Sequence, residues 1–125
     1  MFRIGSYQTL GVLLSQGWRQ RGLALERLAA LLAANPAQRF GLAQKGRLAE
    51  GYDADFTLVD LGQTYTLRQE DLFYRHPISP YLGLTFVGAV QETWLRGQRV
   101  YAGGKIEKPS VVRLLKRTIP FKIEP

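Results

Sequence analysis

Cysteine is absent from all 125 residues, which excludes disulfides, zinc–thiolate sites and thiol nucleophiles. Histidine occurs once, at His76. Histidine metal ligands come in sets of two or three, and one residue cannot form a set. No apolar run approaches the roughly 20 residues of a membrane span. The opening stretch, MFRIGSYQTLGVLLSQGW, has neither the long apolar core nor the small-residue cleavage site of a secretory signal. A soluble, cytoplasmic protein is the expectation. The sequence also lacks a G-x-S-x-G elbow, a G-x-G-x-x-G turn and a P-loop lysine, so Ser6, Ser15, Ser79 and Ser110 have no recognisable nucleophile setting.

Acidic residues are scarce, ten against seventeen lysines and arginines, for a net charge of +7. Such a balance raises nucleic acid or an anionic surface as a partner. The excess gathers at the C-terminal end, where Lys105, Lys108, Arg113, Lys116, Arg117 and Lys122 face only Glu107 and Glu124. Pro109 and Pro120 leave room there for only about two to three helical turns. Trp18, Trp94 and the tyrosines are not interleaved with these cations, as base-stacking platforms would be. The reading is a solvated basic tail, with neither nucleic acid nor membrane as partner.

What is present is ordinary globular material, 46% hydrophobic and 22% charged, enough for one modest domain. In LALERLAALLAANP, Leu25, Leu28, Ala29 and Leu32 recur at helical spacing. Glu26 suits the positive end of the helix dipole. Ala24 takes the N-cap position, where serine or threonine would add about 1 kcal/mol. Pro36 disfavours helical geometry at Asn35, so this helix is predicted to stop there. A second short helix, PAQRF, then opens on Pro36 and is capped by Gly41. Upstream, TLGVLLSQGWRQRG reads as a helix closing at Gly22. Beyond Gly51 the texture becomes strand-like, with an apolar run from Phe56 to Val59. The strongest hairpin signal pairs Val90–Leu95 with Arg99–Tyr101 around Gly97, and a second turn follows at Gly103–Gly104.

Asp53, Asp55 and Asp60 raise the question of acid–base or metal chemistry. Residues 53 and 55 share a face if extended. Neither a histidine set nor a matched acid accompanies them, however, and Asp53 directly follows Gly51–Tyr52, where aspartate commonly bonds its own backbone. These residues are therefore read as structural, the start of a strand. His76 lies in YRHPISPYLG, where Pro77 and Pro80 stiffen a loop and Tyr74 and Tyr81 offer surface to pack. His76, Pro80 and Tyr81 are assigned a structural or interfacial role.

LERLAALLAANPAQRFGLAQKGRLAEGYDADFTLVDL resembles the C-terminal part of cyclic amidohydrolases, the superfamily of allantoinases, dihydroorotases and hydantoinases. YRHPISPYLGLTFVGAVQETWLRGQRVYAGGKI is similar to the closing stretch of the same family, and the likeness covers about residues 5–106. Within the family, Ser6, Gln8, Arg19, Gln20, Arg21, Gly22 and Leu25 match an allantoinase segment, while Val12 replaces the usual proline and Ala24 the usual serine.

The resemblance implies an α+β fragment: the last helices of a (β/α)8 barrel (1–42), strands of the small composite β-sandwich (43–106) and a basic tail (107–125). It implies hydrolysis of the cyclic amide of allantoin to allantoate, with a dihydroorotase or hydantoinase relative as the alternative. A two-metal centre, zinc or another divalent pair, is implied for the complete family member, with a bridging hydroxide attacking the carbonyl. Its ligands (an H-x-H pair, a carboxylated lysine, two histidines and an aspartate) lie upstream of the matched region. No cofactor and no catalytic residue is therefore expected in this chain, which alone should be inactive. Ser6 and Gln8 are the only substrate-pocket candidates that carry over. The implied partners are the missing N-terminal barrel segment or amidohydrolase subunits, in a complete protein that is a homo-oligomer. A different reading is a non-catalytic module that docks on a separate barrel-bearing chain. Either way, the isolated chain should expose apolar surface, self-associate or be marginally stable.

Overall fold

The computed structural model describes residues 6–72, 78–107 and 115, with only the backbone described at 6–8. Helix α1 (Ser6–Val12) runs on as a wide-turned π segment (Leu13–Gln20). It closes where glycine allows: Gly22 takes φ +68°, its N–H bonds the Trp18 carbonyl at 3.1 Å, and the Leu23 N–H reaches Gly17 at 2.9 Å.

Helix α2 (Leu25–Ala29) widens into a π segment (Ala30–Ala34) and continues as α3 (Asn35–Arg39). The predicted stop at Asn35 does not occur, because Asn35 keeps helical dihedrals of −65° and −45°. A proline inside a regular helix leaves one carbonyl without a donor and crowds it with the ring. Opening the turn just before Pro36 relieves that crowding, so the helix passes through the proline. The end is as the sequence predicts. Gly41 takes φ +65°, the Gly41 N–H bonds Gln38 at 3.1 Å and the Leu42 N–H bonds Ala37 at 2.9 Å, the paired pattern of a Schellman cap.

Strands β1 (Phe56–Thr66), β2 (Thr85–Leu95), β3 (Gln98–Ala102) and β4 (Lys105–Ile106) form one sheet in sequence order. Both predicted turns are there. Leu95 pairs with Gln98 across Arg96–Gly97, and Ala102 with Lys105 across Gly103–Gly104, each with positive φ at both central residues. A bulge between Thr93 and Trp94 shifts the β2–β3 register. Strand β1 runs well past Val59, through Asp60 and Gly62, because its long neighbour β2 supplies hydrogen-bonding partners that the local composition does not foretell.

The chain divides into two compact units. The first joins Met1–Ala24 to Leu58–Gln91. Its core is Leu67 (1% exposed), Leu72 and Phe86, with Val12, Tyr65 and Tyr81 packed on it. Ser15 is buried beside Leu14, and its Oγ accepts the Val87 N–H at 2.8 Å. Ser15→Ala strands that donor and should cost about 1–2 kcal/mol, read from the urea midpoint. An unchanged midpoint would refute the assignment.

The second unit joins Leu25–Thr57 to Glu92–Pro125. Among its described residues only Leu28 and Ala37 are buried apolar side chains. Phe40 (65%) and Leu48 (68%) stand open to solvent. The expected exposed apolar surface is thus present among the described residues of this unit. Among the described residues no helix is long and apolar enough to cross a membrane.

Candidate functional site

The sequence places Lys45-Gly46-Arg47 after the cap of α3 and Asp53-Ala54-Asp55 just before β1, all in the second unit. Folding turns these two short stretches into an ionic clamp. Lys45 Nζ bonds Asp53 Oδ2 at 2.8 Å and also Asp55 Oδ2. The Lys45 side chain keeps only 14% of its exposure. Asp55 Oδ1 accepts the Arg96 N–H at 2.8 Å, and the Gly97 N–H bonds the Ala54 carbonyl at 3.0 Å. Arg96 has φ +48°, an uncommon backbone for a side-chain-bearing residue, and these bonds hold it in the hairpin turn. The Asp53 N–H, bonded to Gln44 at 3.0 Å, closes the loop. Phe56 stacks on Trp94 at 5.7 Å beside the clamp, and Arg47 lies 5.6 Å from the Tyr52 ring centre.

Burial alone would lower the Lys45 pKa, but the hydrogen bonds and charges of Asp53 and Asp55 together outweigh it, so the pKa stands above the ordinary lysine value. The pair Asp53–Asp55 thus meets a lysine within its own unit. Lys45 is the residue that reading the sequence for acid–base pairs overlooks, although KGR stands only a few residues before GYDAD.

Next to the clamp is an open, mostly apolar groove of about 960 Å³. Ala29, Ala33 and Ala37 form its helical wall, with Leu48, Phe56 and Leu115 also lining it. Gly46 fits tightly under that wall: a Cβ there would lie 2.6 Å from Ala37 Cβ and 2.9 Å from the Ala33 carbonyl oxygen.

The other sequence candidates do not converge on this place. Ser6 and Gln8 lie in the first turn of α1, in the first unit, with only their backbone described. His76 lies outside the described residues. Pro80 is exposed in a turn. Tyr81 packs edge-on against Phe86 at 6.3 Å, its N–H bonded to Ser79 Oγ at 3.2 Å. Asp60 lies within β1 and accepts the Gly62 N–H at 2.9 Å.

A divalent metal pair does not fit these side chains. Lys45 occupies the two carboxylates of the clamp, and among the described residues no three His, Cys, Asp or Glu side chains come together. One histidine in the whole sequence leaves no H-x-H.

The model of the amidohydrolase family matches residues 9–101. The chain belongs to the amidohydrolase family. It corresponds to the C-terminal part of allantoinase- and hydantoinase-type members. It is 54% identical over 112 residues to the allantoinase of Deinococcus radiodurans, covering 90% of this chain and 25% of that protein. It is also 54% identical over 102 residues to the allantoinase of Rubrobacter xylanophilus, covering 82% and 22%. Among solved structures, the L-hydantoinase (dihydropyrimidinase) of Arthrobacter aurescens superposes with a TM-score of 0.73 at 34% identity, over 78% of this chain and 22% of that one. This amidohydrolase chain thus spans about a quarter of the length of the curated relatives it matches. The clamp and the groove lie largely within the matched residues, since Lys45, Asp53, Asp55 and Arg96 all fall between 9 and 101.

Proposed function

We propose that this amidohydrolase chain is the C-terminal portion of an enzyme that opens the cyclic amide of allantoin to give allantoate. The observation that carries the reading is 54% identity to an allantoinase over 112 residues, against 34% to a hydantoinase structure. On this reading the helices of residues 1–42 complete a (β/α)8 barrel, residues 43–106 form part of a small β-sandwich, and residues 107–125 are an appended basic tail. The hydrolytic metal pair sits in upstream chain, because the residues present here do not fit one. The chemistry the metals supply is activation of water and polarisation of the ring carbonyl. The contribution of this chain is structural support for the barrel, with Ser6 and Gln8 approaching the substrate from the start of α1. Its partners are the upstream barrel segment and further copies of the complete subunit.

A chimera tests this. The matching segment of the Deinococcus radiodurans allantoinase is replaced by this chain, and hydrolysis of allantoin, hydantoin and dihydroorotate is compared. Turnover of allantoin above the other two rings is expected, with Gln8→Ala raising KM by roughly threefold to tenfold through one lost hydrogen bond. The chain alone, supplied with zinc, is expected to turn over none of them. A chimera that prefers hydantoin or dihydroorotate would move the assignment to that relative. A chain that folds, stays monomeric and binds an intact barrel protein in fixed ratio would favour the docking-module reading.

A further inference from the structure

We propose that Ser15 is a positioning residue for substrate binding, resting on the reading that Gln8 meets the substrate: together with Gly11 it fixes the helix whose first turn carries Gln8. Among the described side chains of α1 and its π continuation, the buried positions are Gly11, Leu14 and Ser15, a single face at i, i+3 and i+4. Each of the three is set against the strands of the first unit. Ser15 Oγ accepts the Val87 N–H at 2.8 Å, which ties the helix to β2. A Cβ at Gly11 would lie 2.9 Å from Tyr65 Oη and 3.2 Å from the Phe86 ring, so the helix backbone lies close over both aromatics. Leu14 covers Gly88, where a Cβ would come within 2.7 Å of Leu14 Cδ1.

The hydrogen bond separates Ser15 from its packing neighbours. Contacts at Gly11 and Leu14 set how close the helix lies to the strands, but apolar contact tolerates a slide along the helix axis. A directional bond to one strand amide fixes the position along that axis as well. Val12 keeps helical dihedrals of −63° and −45°, so the anchored residues and the first turn form one continuous rod. Gln8 precedes Gly11 by three residues, ~4.5 Å along that rod. A displacement at the anchor therefore reaches Gln8 with little chain between to absorb it, and a shift of about 1 Å in a substrate-orienting group is costly.

The allantoinase chimera carrying this chain supplies the kinetic test. Ser15→Ala should raise KM for allantoin about threefold with kcat within about twofold, the pattern of lost binding. Thr66→Ala, which removes an exposed hydroxyl contact with Thr85 between β1 and β2, should leave both constants unchanged. Coupling separates positioning from general destabilisation. In a Gln8→Ala background, Ser15→Ala should raise KM no further, because the group it positions is gone. Multiplying effects, or an unchanged KM in the single variant, would overturn the role of Ser15 while leaving Gln8 at the substrate. An inert Gln8→Ala would overturn both. The native chain offers a readout that needs no turnover: Ser15→Ala should speed amide exchange at residues 9–14 about tenfold, with β1 changed less. No change at residues 9–14, or equal acceleration in β1, would defeat the proposal even where the chimera fails to fold.

Discussion

Gly46→Ala is expected to unfold the second unit. Gly46 has φ +93°, and the added methyl would sit 2.6 Å from Ala37 Cβ, 2.9 Å from the Ala33 carbonyl oxygen and 3.1 Å from Ala34 Cα. Two of those three neighbours are helix backbone, which cannot rotate away. The left-handed backbone costs about 1–3 kcal/mol with a side chain, and forcing the loop off the helix adds about 1–3 kcal/mol more. Together they approach the lower end of ordinary domain stability, about 5 kcal/mol. This unit, with Leu28 and Ala37 as its described buried apolar residues, has little to spare. Gly51→Ala is the control, since Gly51 has φ +81° and open space around it. Amide exchange across residues 25–57 and urea denaturation should separate the two, with Gly51→Ala losing only the backbone part. Equal losses would show that the close approach of loop to helix contributes nothing.

Lys45→Met is expected to cost about 2–4 kcal/mol, between the values for exposed and fully buried ion pairs. The methionine keeps much of the side-chain volume but removes the cation that Asp53 and Asp55 share. Arg68→Met, at an ion pair exposed on both sides, should change stability by less than about 0.5 kcal/mol. A double-mutant cycle of Lys45→Met with Asp55→Asn checks that the loss belongs to the clamp. Additive losses would mean that the pair is not coupled. The pH dependence follows from the raised Lys45 pKa. A cation whose pKa is higher folded than unfolded stabilises fully below the unfolded value, and that contribution disappears as pH rises through the folded value. The urea midpoint of the native chain should therefore decline above the ordinary lysine value of 10.5, and Lys45→Met should lack that part of the decline.

Much of the local structure was legible because it rests on residues that act within four or five positions. Gly97 and the Gly103–Gly104 pair supply the positive φ that two-residue hairpin turns require, and both hairpins form there. Gly41 ends α3 for the same reason. The break predicted at Asn35 failed because a widened turn offers the chain a second way to carry Pro36, and spacing rules do not weigh that alternative. The full length of β1 was hidden, since a strand with Asp60 and Gly62 inside it depends on its neighbour more than on its own composition. The partner of Asp53 and Asp55 was hidden too. Nothing local says that an aspartate will meet a lysine eight or ten positions earlier, because that contact exists only once the loop between them has closed.

By itself the sequence determined what chemistry this chain cannot hold, where its tight turns and helix cap fall, and the family to which its motifs belong. Each follows from residue identity or from short-range backbone preference, which survive without any knowledge of packing. The tertiary structure alone decided that Lys45 bridges the aspartate pair, that Asp55 steadies the strained turn at Arg96, and that Gly46 lies against the helix. It alone decided that a face of alanines is left as a groove with Leu115 at its side. Those outcomes depend on which distant segments come into contact, and contact is a property of the folded chain.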